Sequence, residues 1–221
     1  QGASQGASCT GGSHALDHGE PVHLRNSVPC VLLIAAGLIN RPATAGESDV
    51  GRVRYEFDLA PSKTLSLNIR SGDVVIEGAD APKLAISFDG ENSGKASDVK
   101  VRFKDKGDTV ECGITGGPHS DFRILIAVPR KLHLFVRMPF GAMQISDVEG
   151  SKDVSLRAGD LDIGIGAADD YAHIDASVGT GEIDLSALNV ETGGFFRKFH
   201  RDGPGQYELR VHIGAGQVTL H

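Results

Sequence analysis

The chain has no tryptophan and only two methionines, and aromatic residues fill 5% of its 221 positions. A core so poor in large rings has to be built from aliphatic side chains. Its three cysteines, Cys9, Cys30 and Cys112, make no disulfide framework. Helical periodicity is missing as well. No helix-length window repeats its apolar residues at 3.6, which predicts almost no α-helix. No basic face offsets the net charge of -7, and nucleic acid is thereby excluded as a partner. The nine histidines are scattered, with no His-x-His or His-Glu-x-x-His spacing, so no metal or other cofactor is implied.

What the chain does have is glycine, 29 residues in all, and part of it falls in a repeating frame. The frame reads apolar-x-apolar-x-x-Gly-x-apolar-x-apolar, with small residues allowed at the apolar places. It occurs at Leu67–Ile76, Val136–Ile145, Val154–Ile163, Ala176–Leu185 and Val211–Leu220. The central stretch Asp153–Leu185 holds two copies. The last three glycine intervals, between Gly141, Gly159, Gly181 and Gly216, are 18, 22 and 35 residues. Alternation on both sides of the glycine predicts two short strands with inward apolar pairs. The glycine itself supplies a bend free of Cβ strain. A period near 20 residues predicts stacking, and the expected fold is a single all-β domain, a β-solenoid (β-helix-like) of short stacked strands with glycine turns.

Residues 1–22 are Gly-, Ser- and His-rich and predict a disordered tail or a non-native extension. Residues 23–45 have the layout of a Sec-type signal peptide. Arg25 flanks the apolar run Val28–Ile39, and Pro42-Ala43-Thr44-Ala45 offers a small-residue site with cleavage after Ala45. This predicts export to the periplasm or the extracellular space and leaves Cys112 as the one cysteine of the mature domain, residues 46–221. Alternating runs at Val53–Leu59, Leu65–Ile69, Leu84–Phe88, Val99–Phe103, Val110–Ile114 and Phe122–Val128 predict strands. Asp105-Lys106-Gly107-Asp108 predicts a hairpin turn, Asp89–Asp98 and Thr115–Asp121 predict loops, and the whole run permits an antiparallel, sandwich-like N-terminal part.

Three groups of polar residues compete for function. Asp153, Asp160, Asp162, Asp169, Asp170, Asp175, Glu182 and Asp184 make the repeat acidic, which suits a solvated outer face better than a calcium ladder or a paired-carboxylate site. Asp169-Asp170-Tyr171-Ala172-His173 reads as an inter-strand loop before it reads as an acid–base or metal cluster. The longest interval carries the insertion Gly193–Gly205, whose Phe195, Phe196, Arg197, Lys198, Phe199 and Arg201 contrast with the acidic strands around them. These six are the candidate partner-contact residues, for an envelope polymer, a protein or a membrane surface. The competing role is a cap over the open end of the stack.

The order of these motifs resembles that of the bacterial DUF4097/DUF2807 adhesin-type families. The resemblance is carried by Leu67–Gly78, by Phe122–Leu134 with Val128-Pro129 ending a strand, and by the Gly-Asp-Leu, Gly-Glu-Ile and Gly-Gln-Val series that closes after Gly203-Pro204-Gly205. It covers roughly Val53–His221. It implies an exported all-β protein and carries over no catalytic residue. The function expected on this basis is an exported, non-enzymatic envelope protein with a structural or interaction role. The alternative is a β-helical carbohydrate-active enzyme on an extracellular polysaccharide, with Asp160, Asp162 and Asp184 as working groups.

Overall fold

The computed structural model describes residues 54–89, 98–117, 122–185, 188 and 198–221. The tail, the signal-like segment with Ala45, most of the 89–98 and 115–121 loops, and Phe195, Phe196 and Arg197 lie outside the described residues. Of the two compact units of the chain, residues 1–45 and 46–221, the second is the one built from these residues.

Alternating burial gives thirteen strands among the described residues, and a short 3-10 turn at Ala168–Asp170 precedes β11. They are β1 (Arg54–Asp58), β2 (Thr64–Ile69), β3 (Ser71–Ala79), β4 (Lys83–Asp89), β5 (Lys100–Asp105), β6 (Thr109–Thr115) and β7 (Arg123–Pro129). After these come β8 (His133–Ser146), β9 (Lys152–Ala158), β10 (Leu161–Ile163), β11 (Tyr171–Asp184), β12 (Lys198–Asp202) and β13 (Tyr207–Leu220). The predicted hairpin forms between β5 and β6. Gly107 takes φ +84° and donates its N–H to Asp105 Oδ1 at 2.8 Å.

Each copy of the frame crosses from one layer to the other at its glycine. The segments before the glycines form a front layer in the order β5-β6-β2-β8-β9-β13-β11-β12. Those after them form a back layer in the order β1-β4-β7-β3-β8-β10-β13-β11. The five copies run parallel to one another, and the antiparallel strands β1, β4, β5 and β12 lie at the margins. The first half of the chain therefore stacks on the second, through β2 and β3 against β8, rather than forming a layer of its own.

The expectation of an open β-solenoid is corrected. β8, β9, β13 and β10 bond in a closed ring, a flattened four-strand barrel to which the other strands are added. The chain also fails to wind in sequence order. β13 is last in the chain, yet it sits between β9/β10 and β11. The 35-residue interval is the physical reason. It takes the chain past β11, lays β12 on the outer edge of that strand, and leaves enough length to return beneath it.

The corner is a ladder of glycines in the spatial order Gly72, Gly141, Gly159, Gly216, Gly181, with φ between +133° and +140°. A Cβ on Gly141, Gly159, Gly216 or Gly181 would lie 1.7–2.1 Å from the carbonyl oxygen of the glycine before it in that order. No side chain fits that approach. The inward pairs Val74/Ile76, Met143/Ile145, Leu161/Ile163, Ile183/Leu185 and Val218/Leu220 are all buried, as the alternation predicts. Phe88 and Phe122 stack at one end of the core with centroids 5.3 Å apart. Cys112 is part of that core, and burial pushes its thiol up to about 12, so it behaves as a small apolar residue.

Candidate functional site

Pleat alternation leaves the outer surface of the front layer as ordered rows of polar side chains, one per strand, about 4.8 Å apart. One row runs Ser66, Phe135, Asp153, Arg210, Asp175, His200, and the next runs Asn68, Arg137, Ser155, His212, Ser177, Lys198. Arg137 bonds Asp153 Oδ1 at 2.8 Å and lies 3.7 Å over the exposed Phe135 ring. Arg210 pairs with Glu208 at 2.8 Å. Ser177 Oγ is 2.9 Å from His212 Nδ1. Among the described residues His212 meets no carboxylate, so this contact lacks the acid that orients a catalytic imidazole.

The edge strand β12 is locked to β11 by two His–Asp pairs. His173 Nδ1 is 2.6 Å from Asp202 Oδ1, and His200 Nδ1 is 2.5 Å from Asp175 Oδ1. His200 Nε2 also reaches Asp202 at 3.4 Å. The hydrogen bond to Asp175, with the two nearby carboxylates, raises the His200 pKa above its ordinary 6.5. His173 and His200 together hold Asp202 below the ordinary 3.8, chiefly through the His173 hydrogen bond. The His200 contribution to docking is complete below pH 6.5 and is lost as pH rises through its raised pKa. The Asp202 contribution is present above pH 3.8 and is lost as pH falls through its lowered one. An NMR titration is therefore expected to place the His200 midpoint above 6.5, and Asp175→Asn should bring it back towards 6.5. An unshifted wild-type midpoint would remove this account of the edge.

The described part of the insertion is this same strand. Lys198 and His200 point outward, while Phe199 turns inward opposite Ala176 and packs half-buried on the core. Arg201 reaches back to Asp169 at 3.0 Å. The Asp169–His173 cluster is thereby dispersed: Asp169 meets Arg201, Tyr171 turns into the core, and His173 meets Asp202. An irregularity in register between Tyr171 and His173 lets neighbours of the same parity face opposite ways.

The acids do not form a single ladder either. Asp153 and Asp175 lie on the front face, whereas Asp160, Asp162, Glu182 and Asp184 lie on the back. A back-face groove of about 380 Å³ is lined by Asp73, Arg123, Gln144, Asp160, Asp162 and Thr219, among others. Asp160 accepts the Gln217 N–H at 3.2 Å, and Asp162 pairs with His221 at 2.9 Å. Among the described residues no group of three or more His, Cys, Asp or Glu side chains is placed to hold a metal ion.

Among the described residues, one buried residue is not apolar. Lys152, 1% exposed, occupies an inward position that its neighbours in register fill with Leu134 and Leu209. Its Nζ donates to Tyr171 Oη at 2.5 Å and to the Gly150 carbonyl at 3.4 Å, and lies 5.1 Å from the Tyr171 ring centroid. The available signal was parity, since Lys152 is in step with Val154 and Leu156.

No protein-family model matches the chain, and no curated protein matches it. The DUF4097/DUF2807 resemblance thus rests on motif order alone. Solved structures that are similar include a "putative cell adhesion protein" from Clostridium sporogenes, at 14% identity and TM-score 0.49, covering 76% of this chain and 98% of that one. A "putative adhesin" from Bacteroides fragilis aligns at 10% identity and TM-score 0.32, covering 77% and 97%. A "putative lipid binding protein" from Parabacteroides distasonis aligns at 9% identity and TM-score 0.25, covering 78% and 98%.

Proposed function

We propose that the chain is an exported, non-enzymatic envelope protein that works by surface contact. The observation that carries this reading is the front face, a parallel array of Arg, His, Ser and Asp side chains at strand spacing with an exposed Phe135 among them. The side chains are engaged pairwise along the rows, which suits a preorganised docking surface more than a reaction centre. Export to the periplasm or the extracellular space is inferred from the segment 23–45, with processing after Ala45. The contact surface includes β12, where Lys198, Phe199 and Arg201 lie, and extends by sequence to Phe195, Phe196 and Arg197. The partner is an envelope polymer or protein.

A second reading, a carbohydrate-active enzyme, is favoured by the back-face groove, which sets Asp73, Asp160 and Asp162 beside Arg123. A glycan array combined with a polysaccharide-cleavage screen separates the two. Binding without product release is the expected result. Product release that disappears in Asp160→Asn or Asp184→Asn would overturn the contact reading.

A further inference from the structure

The two layers carry opposite surfaces. The outer back face presents Asp73, Glu77, Asp160, Asp162, Glu182 and Asp184 with Arg123. The front face balances its acids with Arg137, Arg157, Arg210 and Lys198, and adds His173, His200 and His212. On β8 to β13 most front-face charges are already paired. Arg137 is held by Asp153, Arg210 by Glu208, and the β12 histidines by Asp175 and Asp202. Within β8 to β13, the part of the face away from Lys100, Arg102 and Lys104 of β5, two cations remain. Among the described residues Arg157 and Lys198 have no acidic partner, and both are exposed.

Those two flank one trough. A depression of about 350 Å³ is lined by Arg137, Ser155, Arg157 and His212, and a second of about 340 Å³ by Ser177, Lys198, Arg210 and His212. They share His212 and run across the strands from β8 to β12. Beside Arg157 the next row holds Gly214 and Gly179, so no side chain rises from the floor on that side. Arg157 and Lys198 stand three strand spacings apart and two residues apart along the strands, roughly 16 Å. Between them lie Ser155, His212 and Ser177, which carry hydrogen-bonding groups and no fixed charge.

We propose that this trough binds a linear carboxylate-bearing polysaccharide, its chain lying across the strands with sugar carboxylates at Arg157 and Lys198. The inference rests on the contact reading above and names its ligand class. The chemistry selects the class in three ways. Unpaired cations at both ends call for anionic groups spaced along a chain. The hydroxyl and imidazole groups between them match sugar hydroxyls. The front-face carboxylates Asp153 and Asp175 line the second depression and disfavour a ligand charged more densely than one carboxylate per sugar, such as polyphosphate.

The test is binding of the full chain to polygalacturonate, to a neutral galactan and to inorganic polyphosphate, measured by calorimetry at two salt concentrations. Polygalacturonate is expected to bind, more weakly at higher salt. The double variant Arg157→Gln/Lys198→Gln is expected to lose at least tenfold in affinity, whereas Lys83→Gln on the exposed margin strand β4 keeps it. Both altered front-face residues are exposed, so circular dichroism and melting should match the parent. Equal affinity in the double variant, or polyphosphate binding as tight as polygalacturonate, overturns the inference. Array binding confined to neutral glycans or proteins overturns it too, but leaves the contact reading standing. Binding to no envelope component overturns both.

Discussion

Gly159→Ala is expected to leave the chain largely unfolded, at a cost above about 4 kcal/mol. Two effects add. At φ +137° any Cβ is strained, and here it would also lie 1.8 Å from the Gly141 carbonyl oxygen. Gly72→Ala separates them. Gly72 has almost the same φ, +133°, but its Cβ would meet only Ile124 Cδ1, at 3.9 Å. It begins the ladder and has no preceding rung to strike. Its cost should therefore be the strain alone, about 1–3 kcal/mol. Urea unfolding of both variants makes the comparison. If Gly159→Ala proved no worse than Gly72→Ala, close backbone approach would not be the reason for the glycine ladder.

Lys152→Met/Tyr171→Phe is expected to stabilise the protein by about 2–3 kcal/mol at neutral pH. Burial drives the Lys152 pKa from 10.5 down to about 8, partly opposed by Glu149. At 1.36 kcal/mol per unit, holding the ammonium there costs about 3 kcal/mol. Apolar side chains of similar volume remove that cost. Tyr171→Phe alone should destabilise by about 1–3 kcal/mol, because it leaves the buried ammonium with only the long bond to the Gly150 carbonyl.

The pH dependence follows with its sign. Between pH 8 and 10.5 the unfolded chain binds the lysine proton and the native state has released it, so stability rises with pH. Burial raises the Tyr171 pKa from 10.0 to about 12. Above pH 10 the unfolded chain therefore loses the phenolic proton first, and stability falls. The Cys112 thiol, raised from 9.0 to about 12, opposes the lysine above pH 9, so the wild type should show a stability maximum between pH 9 and 10, whereas the double variant should show only the fall above pH 9. Denaturant unfolding across pH 7 to 12 measures this, and a flat profile in the wild type would refute it.

Much of the architecture was legible in the residues. Alternation around Gly72, Gly141, Gly159, Gly181 and Gly216 identified the inward pairs and the outward residue after each glycine, because the pleat has a period of two whatever the partner strand. The same rule placed Cys112 in the core, and glycine's access to positive φ placed the turn at Gly107. The candidate site was far less legible. Asp153 and Asp160 look alike in the sequence but lie on opposite outer faces, because a glycine corner stands between them. His173, Asp175, His200 and Asp202 meet only because β12 folds back antiparallel on β11, and no local pattern encodes that return. The trough joins residues of β8, β9, β13, β11 and β12, which pair in an order different from their order in the chain.

Side-chain polarity and the conformational reach of glycine suffice to set which apolar residues are buried, where the strands bend and that the described domain is all-β. Tertiary structure alone decided the order in which the five copies stack, the closing of the sheet into a ring, and the burial of Lys152. Those outcomes depend on which strand edges meet. Parallel strand edges are nearly interchangeable in their hydrogen bonding, so the choice among them is made by packing and loop length over the whole domain.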